Sequence, residues 1–463
     1  MRMIQLERQA LIEQSSIQLP SLEETVNLFK ARTKPTVAQL LSTAKADKKM
    51  LYQPRCGVGD HKEMVDLLRT LEGLSRPDIL SVTIDSYTRL LKLDQASEAL
   101  RTDPRKLNGY PLINHGYEKA RELEMSIDAP LEIRHGSPDA RLLFEVAIAG
   151  GITSFEGGGI CYNLPYCKDV PLRHSLRAWS YVDRVCGKLA QHGVIIDREL
   201  FGTLSAVLMP PAISLAFTLL EGMLATNDGV RCLSISYPQG GNVVQDVAAL
   251  RSILELASKY LPEGTAVYPV LHEFMGSFPK DVIEADALIF YGAMVGRLAG
   301  ATKLITKSNQ EAYGIPSVES NAGGIRTARM ASAAMFDFVS IDESLVQEEQ
   351  RWIIREVEEI IAPVLEYAQK TSLQEAIIWA FEHGYLDMPF SSSRYAKSEV
   401  LPVRDADGAI RYHSQGKLAF SRETQNRNRR LVSDSFEIKD LATRISQDIF
   451  FFSDGHYRAR KAV

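Results

Sequence analysis

Leu131-Glu132-Ile133-Arg134-His135-Gly136 is a short, largely apolar run that ends in charged, polar and small residues, and its form sets the reading of the chain. The same form occurs upstream at Met50-Leu51-Tyr52-Gln53-Pro54-Arg55, Leu80-Ser81-Val82-Thr83-Ile84-Asp85 and Leu107-Asn108-Gly109-Tyr110-Pro111. Downstream it returns at Gly151-Ile152-Thr153-Ser154-Phe155-Glu156, and again over 206–210, 232–237, 266–273 and 303–307. Stretches with helical periodicity separate most of these runs, at 62–74, 117–125, 176–192, 242–261 and 279–298. Strand and helix in alternation mean parallel βαβ units, and this many repeats predict a closed (β/α)₈ TIM barrel, an α/β fold, over an open sheet. Nine runs compete for eight strands, so one of them is expected to be something else.

The barrel is expected over residues 49–330. Residues 1–48 read as a charged, helical N-terminal lead-in with an amphipathic run over 21–31. Residues 331–463 read as a small α+β C-terminal extension with a long amphipathic helix over 343–370 and a second helix over 373–383. Asp407-Gly408, between Leu401-Pro402-Val403-Arg404 and Ala409-Ile410-Arg411-Tyr412, signals a hairpin with a two-residue turn. The basic stretch Arg427-Asn428-Arg429-Arg430 reads as a solvated helix face.

Composition narrows the class. With 463 residues, 45% hydrophobic and 24% charged, the chain can bury a large core and is neither disordered nor fibrous. Fifty-three basic against 58 acidic residues leave a formal charge of -5, which argues against a nucleic-acid partner. Five scattered cysteines without a CxxC pair suit a reducing, cytoplasmic setting. The charged start, Met1 to Arg8, does not read as a secretory signal. The most apolar stretch, 206–225, holds Pro210, Pro211 and Glu221, so it is expected as a strand end and buried helix rather than a membrane span.

Active sites of such barrels form at the carboxyl ends of the strands. Arg55 follows one run, Arg89 lies four residues past Asp85, and Arg134 ends a third. Planar guanidinium forks match carboxylates, so three at one mouth suit a small dicarboxylate; the alternative is that each pairs with a structural acid at the rim. Glu156 opens the loop Gly157-Gly158-Gly159-Ile160-Cys161-Tyr162-Asn163-Leu164-Pro165-Tyr166, whose glycines allow close backbone approach. Glu156, Tyr162 and Tyr166 offer an acceptor and two phenols to an amino acid, or else the loop merely caps the barrel. Gly57-Val58-Gly59 lacks the third glycine of a dinucleotide fingerprint, and His272-Glu273 lacks the second histidine of a zinc motif, so neither a nucleotide nor a protein-bound metal is expected. No nucleophile elbow is present.

Pro54-Arg55-Cys56-Gly57-Val58-Gly59, Thr83 to Arg89, Leu107 to Pro111, Arg134-His135-Gly136-Ser137-Pro138-Asp139, Glu156 to Gly159, His272 to Pro279, Lys303 to Pro316 and Val403-Arg404-Asp405 together resemble the large (epsilon) subunit of glutamate mutase, also called methylaspartate mutase. The resemblance covers roughly residues 50 to 455. It implies a barrel that, with adenosylcobalamin (coenzyme B12) and a small cobalamin-binding (sigma) subunit, interconverts L-glutamate and (2S,3S)-3-methylaspartate by a radical rearrangement. It further implies a homodimer of this chain within a heterotetramer. Matched by motif, Arg55, Arg89, Arg134, His135, Glu156, Tyr162 and Tyr166 would bind substrate, with Glu156 nearest the amino group and able to take its proton. Gly57, Asn108, Pro165, Phe278, Lys307, Glu311 and Ile315 match positions that face the cofactor. The histidine loop that ligates cobalamin, Asp-x-His-x-x-Gly, is expected on the small subunit, because Asp454-Gly455-His456-Tyr457-Arg458-Ala459 lacks its glycine. Pro238 to Gly240 and Phe290 to Gly292 depart from the family pattern near late strand ends. Other readings of the same barrel are a catalytically silent sensor of a dicarboxylate or partner, and a cofactor-independent dicarboxylate lyase.

Overall fold

Eight parallel strands, β1 Leu51–Gln53, β2 Leu80–Thr83, β3 Leu131–Arg134, β4 Ser154–Glu156, β5 Asp197–Leu200, β6 Cys232–Pro238, β7 Ala266–His272 and β8 Lys303–Ile305, follow one another around a (β/α)₈ barrel in the computed structural model. Residues 2–15, 17–202, 208–433 and 440–455 are described. β1 pairs with β8, and the seam between β1 and β2 is joined by single hydrogen bonds, Asp78 N to Tyr52 O at 3.0 Å and Thr83 N to Cys56 O at 2.8 Å. Helices return the chain after each strand, and polar caps start several of them. Asp60 accepts from Glu63 N at 3.0 Å before the helix His61–Ser75, and Asn242 accepts from Gln245 N at 2.9 Å before Val243–Tyr260.

Seven of the nine expected runs are strands. Leu107 to Pro111 is not; it is a loop laid along β2, touching it through a bridge from Tyr110 to Ile84 and a bond from Tyr110 N to Thr83 O at 2.8 Å. Its apolar residues are buried by covering the strand, which gives a loop a strand's composition. In the run 206–210, residues 206 and 207 lie outside the described residues, and 208–210 form no strand. The fifth strand is instead Asp197-Arg198-Glu199-Leu200, where three residues of four are charged.

That strand shows how this barrel is filled. Inward positions of a TIM barrel are usually branched and apolar. Here Gln53, Ser81, Glu132, Ser154, Asp197, Ser234 and Lys303 meet inside. Lys303 Nζ lies 2.6 Å from both Glu132 and Glu199, Gln53 Nε2 donates to Glu132 at 2.7 Å, and Ser154 and Ser234 donate to Asp197 at 2.9 Å. The apolar core lies outside the strands. The helix Pro211–Asn227 is buried along nearly its whole length, and each fully buried Leu or Ile there contributes roughly 1.5–3 kcal/mol.

Helices Arg2–Ser15, Leu22–Lys30 and Val37–Asp47 precede the barrel. After it come the long helix Glu343–Ala368, helix Leu373–His383, the hairpin β9 Val400–Arg404 and β10 Ile410–Gln415, and helices Arg422–Ser433 and Leu441–Ile449. The hairpin forms where expected, but its loop is longer than two residues: Asp405 to Ala409 separate the strands, folded around the Asp405 carboxylate. Only half of the basic stretch is a solvated face: Arg429 and Arg430 are exposed, the other two are not. Arg427 and Asn428 are buried, Arg427 reaching Glu349 at 2.5 Å over the ring of Trp352, and Asn428 donating to Glu356 at 2.8 Å. Arg411 of β10 joins the same seam through Glu349 and, at 2.9 Å, Asp405. The acid the two arginines share, Glu349, lies on another helix, 62 and 78 residues away in sequence. Among the described residues, no helix is long and apolar enough to cross a membrane.

Candidate functional site

The carboxyl ends of β1 to β4, β7 and β8 open onto one mouth, and strand register fixes who meets whom. β3 carries Glu132 and Arg134 on its inner face, two residues apart. Glu156 at the end of β4 pairs in register with Glu199 of β5. Arg134 reaches across all of them: its guanidinium bonds Glu132 at 2.8 Å, Glu199 at 3.3 Å and Glu156. The other oxygen of Glu156 accepts from the Tyr162 hydroxyl. Both oxygens of Glu156 thus accept hydrogen bonds, while burial pushes its carboxyl up to about 8 against the pull of Arg134. At neutral pH the group therefore lies on the protonated side of its titration. Burial also works to raise Glu199, but Lys303, Arg134 and His272 outweigh it and hold that carboxyl well below the ordinary range.

His135 lies under Tyr162 and stacks on Trp179, ring centroids 4.8 and 5.7 Å apart. Its Nδ1 accepts from Ser137 N at 3.0 Å, so the proton belongs on Nε2, which is buried without a partner. Burial and the nearby Arg198 keep the ring neutral. Tyr166 stands edge-on to Tyr162, centroids 5.9 Å apart, and burial of its hydroxyl pushes it up to about 12 although the residue is 42% exposed.

Arg55 and Arg89 differ from Arg134. Among the described residues neither forms an ion pair, although the Arg55 charge helps hold the nearby Glu311 carboxyl low, and Arg55 Nε is buried with no hydrogen bond at all. Arg89 is aimed by its turn: Asp85 accepts from Tyr87 N and Thr88 N at 2.8 and 3.0 Å, and Asn108 from Ser86 N at 2.9 Å. Its Nη1 comes within 3.6 Å of where a Cβ on Gly136 would lie, and the Tyr166 ring within 3.9 Å of that point. Pairing with a rim acid therefore describes Arg134 but not the other two.

Beside this cluster is a cavity of about 260 Å³ lined by Arg55, Gly57, Asn108, Lys307, Glu311 and Ile315, among others. Five of the seven residues matched to the cofactor thus share one space. Lys307 is buried and ion-paired with Glu311. Gly57 has a packing reason to be glycine, since a Cβ would lie 2.5 Å from Thr83 O. Phe278 and Pro165 do not line this cavity. Phe278 is buried against Phe274, and the Pro165 carbonyl accepts from Ser392 Oγ at 3.0 Å. Of the two departing stretches, Gln239 and Gly292 lie in contact, a Cβ at 292 falling 2.7 Å from the Gln239 amide oxygen.

Four residues of the mouth escaped the sequence reading: Glu132, Glu199, Lys303 and His272. His272 ends an apolar run, so the strand-end rule that selected the arginines would have selected it too. Its Nε2 donates at 2.8 Å to the ionised Glu199, and burial holds the ring neutral, its pKa falling to about 3. Ligating atoms of Glu156, Glu199 and His272 lie within 4.8 Å of one another, a spacing that suits a metal, but the Arg134 guanidinium lies against all three, and an ion there would have to displace it.

Comparison with known proteins gives the same picture of relatedness along nearly the entire chain. Glutamate mutase epsilon subunits of Halobacterium salinarum and Yersinia enterocolitica are each 42% identical, over 91% of this chain and 89% of the first, and 83% and 81% respectively for the second. That of Fusobacterium nucleatum is 34% identical over 90% of this chain and 88% of its own. Among solved structures, N-(5'-phosphoribosyl)anthranilate isomerase from Pyrococcus furiosus covers 61% of this chain and 99% of its own at 13% identity and a TM-score of 0.32. The family described as methylaspartate mutase E chain (MutE) matches residues 33–461, taking in every strand of the barrel and every residue of the mouth, and the chain belongs to that family.

Proposed function

We propose that this chain is the large catalytic subunit of an adenosylcobalamin-dependent glutamate mutase, interconverting L-glutamate and (2S,3S)-3-methylaspartate in the cytoplasm together with a small cobalamin-binding subunit. One observation carries the reading: Arg55 and Arg89, in no ion pair among the described residues, converge with Tyr166 beside the Arg134–Glu156–Tyr162 cluster. Two uncommitted forks next to a proton-accepting carboxylate suit a substrate with two carboxylates and one ammonium.

Arg55 and Arg89 would each take a substrate carboxylate oxygen pair, and Arg134 would exchange part of its bonding to Glu156 for substrate. Glu156, then relieved of part of that cation's pull and so more basic, accepts a hydrogen bond and, in its ionised form, transiently a proton from the substrate amino group. The neutral His135 offers its unpartnered Nε2–H, and Tyr162 and Tyr166 close the space around the substrate. Fixing both ends of the molecule keeps fragments of the rearranging skeleton in register.

The residues present fit the cofactor. A cavity adjoins the substrate cluster, Arg55 brings an orphaned buried donor to its wall, and Lys307 and Glu311 present a donor and an acceptor of the kind ribose hydroxyls need. Gly57, Asn108, Lys307, Glu311 and Ile315 would hold it there, with Pro165 and Phe278 matched to its periphery. When bound, the cofactor supplies the radical that takes hydrogen from the substrate; the protein's share is orientation and exclusion of water.

The test is conversion of glutamate to 3-methylaspartate, followed by NMR, using the purified chain, adenosylcobalamin and a separately supplied small subunit. Turnover that needs all three components is expected, with the chain and cofactor alone inactive. Turnover by the chain and cofactor without the second polypeptide would overturn the division of labour. Dicarboxylate binding without turnover in the complete mixture would favour the sensor, and turnover without cofactor the lyase.

A further inference from the structure

The helix Pro211–Asn227 carries a single charged residue, Glu221, and it is 4% exposed. A carboxylate in such surroundings is costly unless it is well bonded. Among the described residues no lysine or arginine forms an ion pair with it, although the charge of Arg198 acts on it from a greater distance. Its partners are the glycine-rich loop: Oε1 accepts from Ile160 N at 2.7 Å and from Cys161 N at 3.0 Å, and Oε2 from Cys161 Sγ at 2.8 Å. Successive backbone N–H groups folded around an anion form a nest, and here the anion is built into the protein.

The loop is shaped to admit it. A Cβ at Gly158 would lie 2.3 Å from Glu221 Oε1, so only glycine lets the carboxylate approach. Ser175 holds the next carbonyl, Gly159 O, at 2.6 Å, and Arg198 holds Phe155 O and Gly157 O at 2.5 and 2.8 Å. The residue that follows the nest is Tyr162, whose hydroxyl donates to Glu156.

We propose that Glu221 is a positioning residue for the reaction, gripping the backbone of residues 160 and 161 so that Tyr162 is held against Glu156. It touches neither substrate nor cofactor. The inference rests on the mutase reading for its kinetic consequence, whereas its structural part, the anchoring of the loop, stands without it. Loss of the grip would loosen Tyr162, remove one hydrogen bond that favours the ionised form of Glu156, and move the protonation of Glu156 upward.

The experiment compares wild type, Glu221→Gln, Tyr162→Phe and the double variant in the complete enzyme, and adds amide hydrogen exchange on the free chain. Glu221→Gln is expected to lower kcat at least tenfold with KM changed less than threefold, and to move the acid limb of the kcat profile up by half a pH unit or more. Combined with Tyr162→Phe it should add little, because both changes act through one hydroxyl. Exchange at Ile160 and Cys161 should quicken at least tenfold while the barrel strands stay protected. Fully additive effects, or an unmoved pH limb with normal exchange over 157–166, would overturn the proposal. If Glu221→Gln does not fold, Glu221→Asp, which keeps the charge but shortens the reach, is expected to show the same pattern in milder form. Altered exchange in a chain without mutase activity would uphold the anchor and sink the mutase reading alone.

Discussion

The barrel mouth and the extension seam both bury clusters of carboxylates and arginines, yet they are wired differently. At the seam every arginine has an acid: Glu349 bonds both Arg411 and Arg427, and Arg411 reaches Asp405 as well, although Arg427 Nη1 is left with Glu356 only at 3.9 Å and without a hydrogen bond. At the mouth Arg134 is held by three acids, while among the described residues Arg55 and Arg89 form no ion pair, and His135, His272 and Glu273 keep buried atoms unpartnered. Buried charge that is mutually satisfied specifies how two pieces dock; buried charge left open is poised for something that arrives from outside.

The comparison breaks most visibly at the seam. Glu349→Ala leaves two buried arginines short of their main acid, and removing one member of such a set costs about 3–5 kcal/mol. A large fall in the thermal midpoint is expected, with turnover per folded molecule close to wild type; a loss of turnover at full stability would show that the seam reports to the mouth. Glu156→Gln probes the opposite behaviour. It keeps the shape but cannot take a proton, so turnover should fall at least a hundredfold, about 2.7 kcal/mol, with stability unchanged or raised. In wild type, turnover should climb as pH rises toward about 8, where Glu156 ionises.

Arg55→Lys and Arg89→Lys keep the charge and lose the fork. Each should lower kcat/KM about tenfold or more while leaving the thermal midpoint alone, since among the described residues neither arginine is held in an ion pair. Unchanged kinetics in both would return these residues to the rim. The smallest effect belongs to Glu356, whose carboxyl burial raises to about 7 against Arg427 and Asn428. A raised acid lends its stability below the ordinary carboxylate range and loses it as pH climbs through about 7. Glu356→Gln should therefore flatten the fall in thermal midpoint between pH 5 and 8, by a few degrees. Glu349, drawn down to about 2 by the two arginines although burial opposes them, has the reverse sign and matters only as pH falls below the ordinary carboxylate range.

Seven strands were legible because their outward faces are apolar and pack on helices. β5 was not, because hydropathy reports the outward face, and there it is Arg198, satisfied by Asp183 at 2.8 Å and lying over Trp179. The strand could only be inferred from the gap between the helices on either side. The arginines of the mouth were legible by position at strand ends. That Arg134 is already engaged and the other two are free was not, since the acids deciding it lie on β3, β4 and β5 and become neighbours only through register. Arg427 teaches the same lesson in the extension: a run of basic residues has no face until a partner helix supplies one.

All five cysteines are buried and none is in a disulfide, and burial raises the thiols of Cys56, Cys167, Cys186 and Cys232, that of Cys56 to about 12. Thiolate, the form that reacts, is scarce at each of these. A maleimide dye at neutral pH should find nothing native to attack, so the molecule is already prepared for single-site labelling. One cysteine placed at the exposed Tyr313, on the rim of the mouth, would carry a lone fluorophore and report by its emission when another polypeptide settles over the barrel.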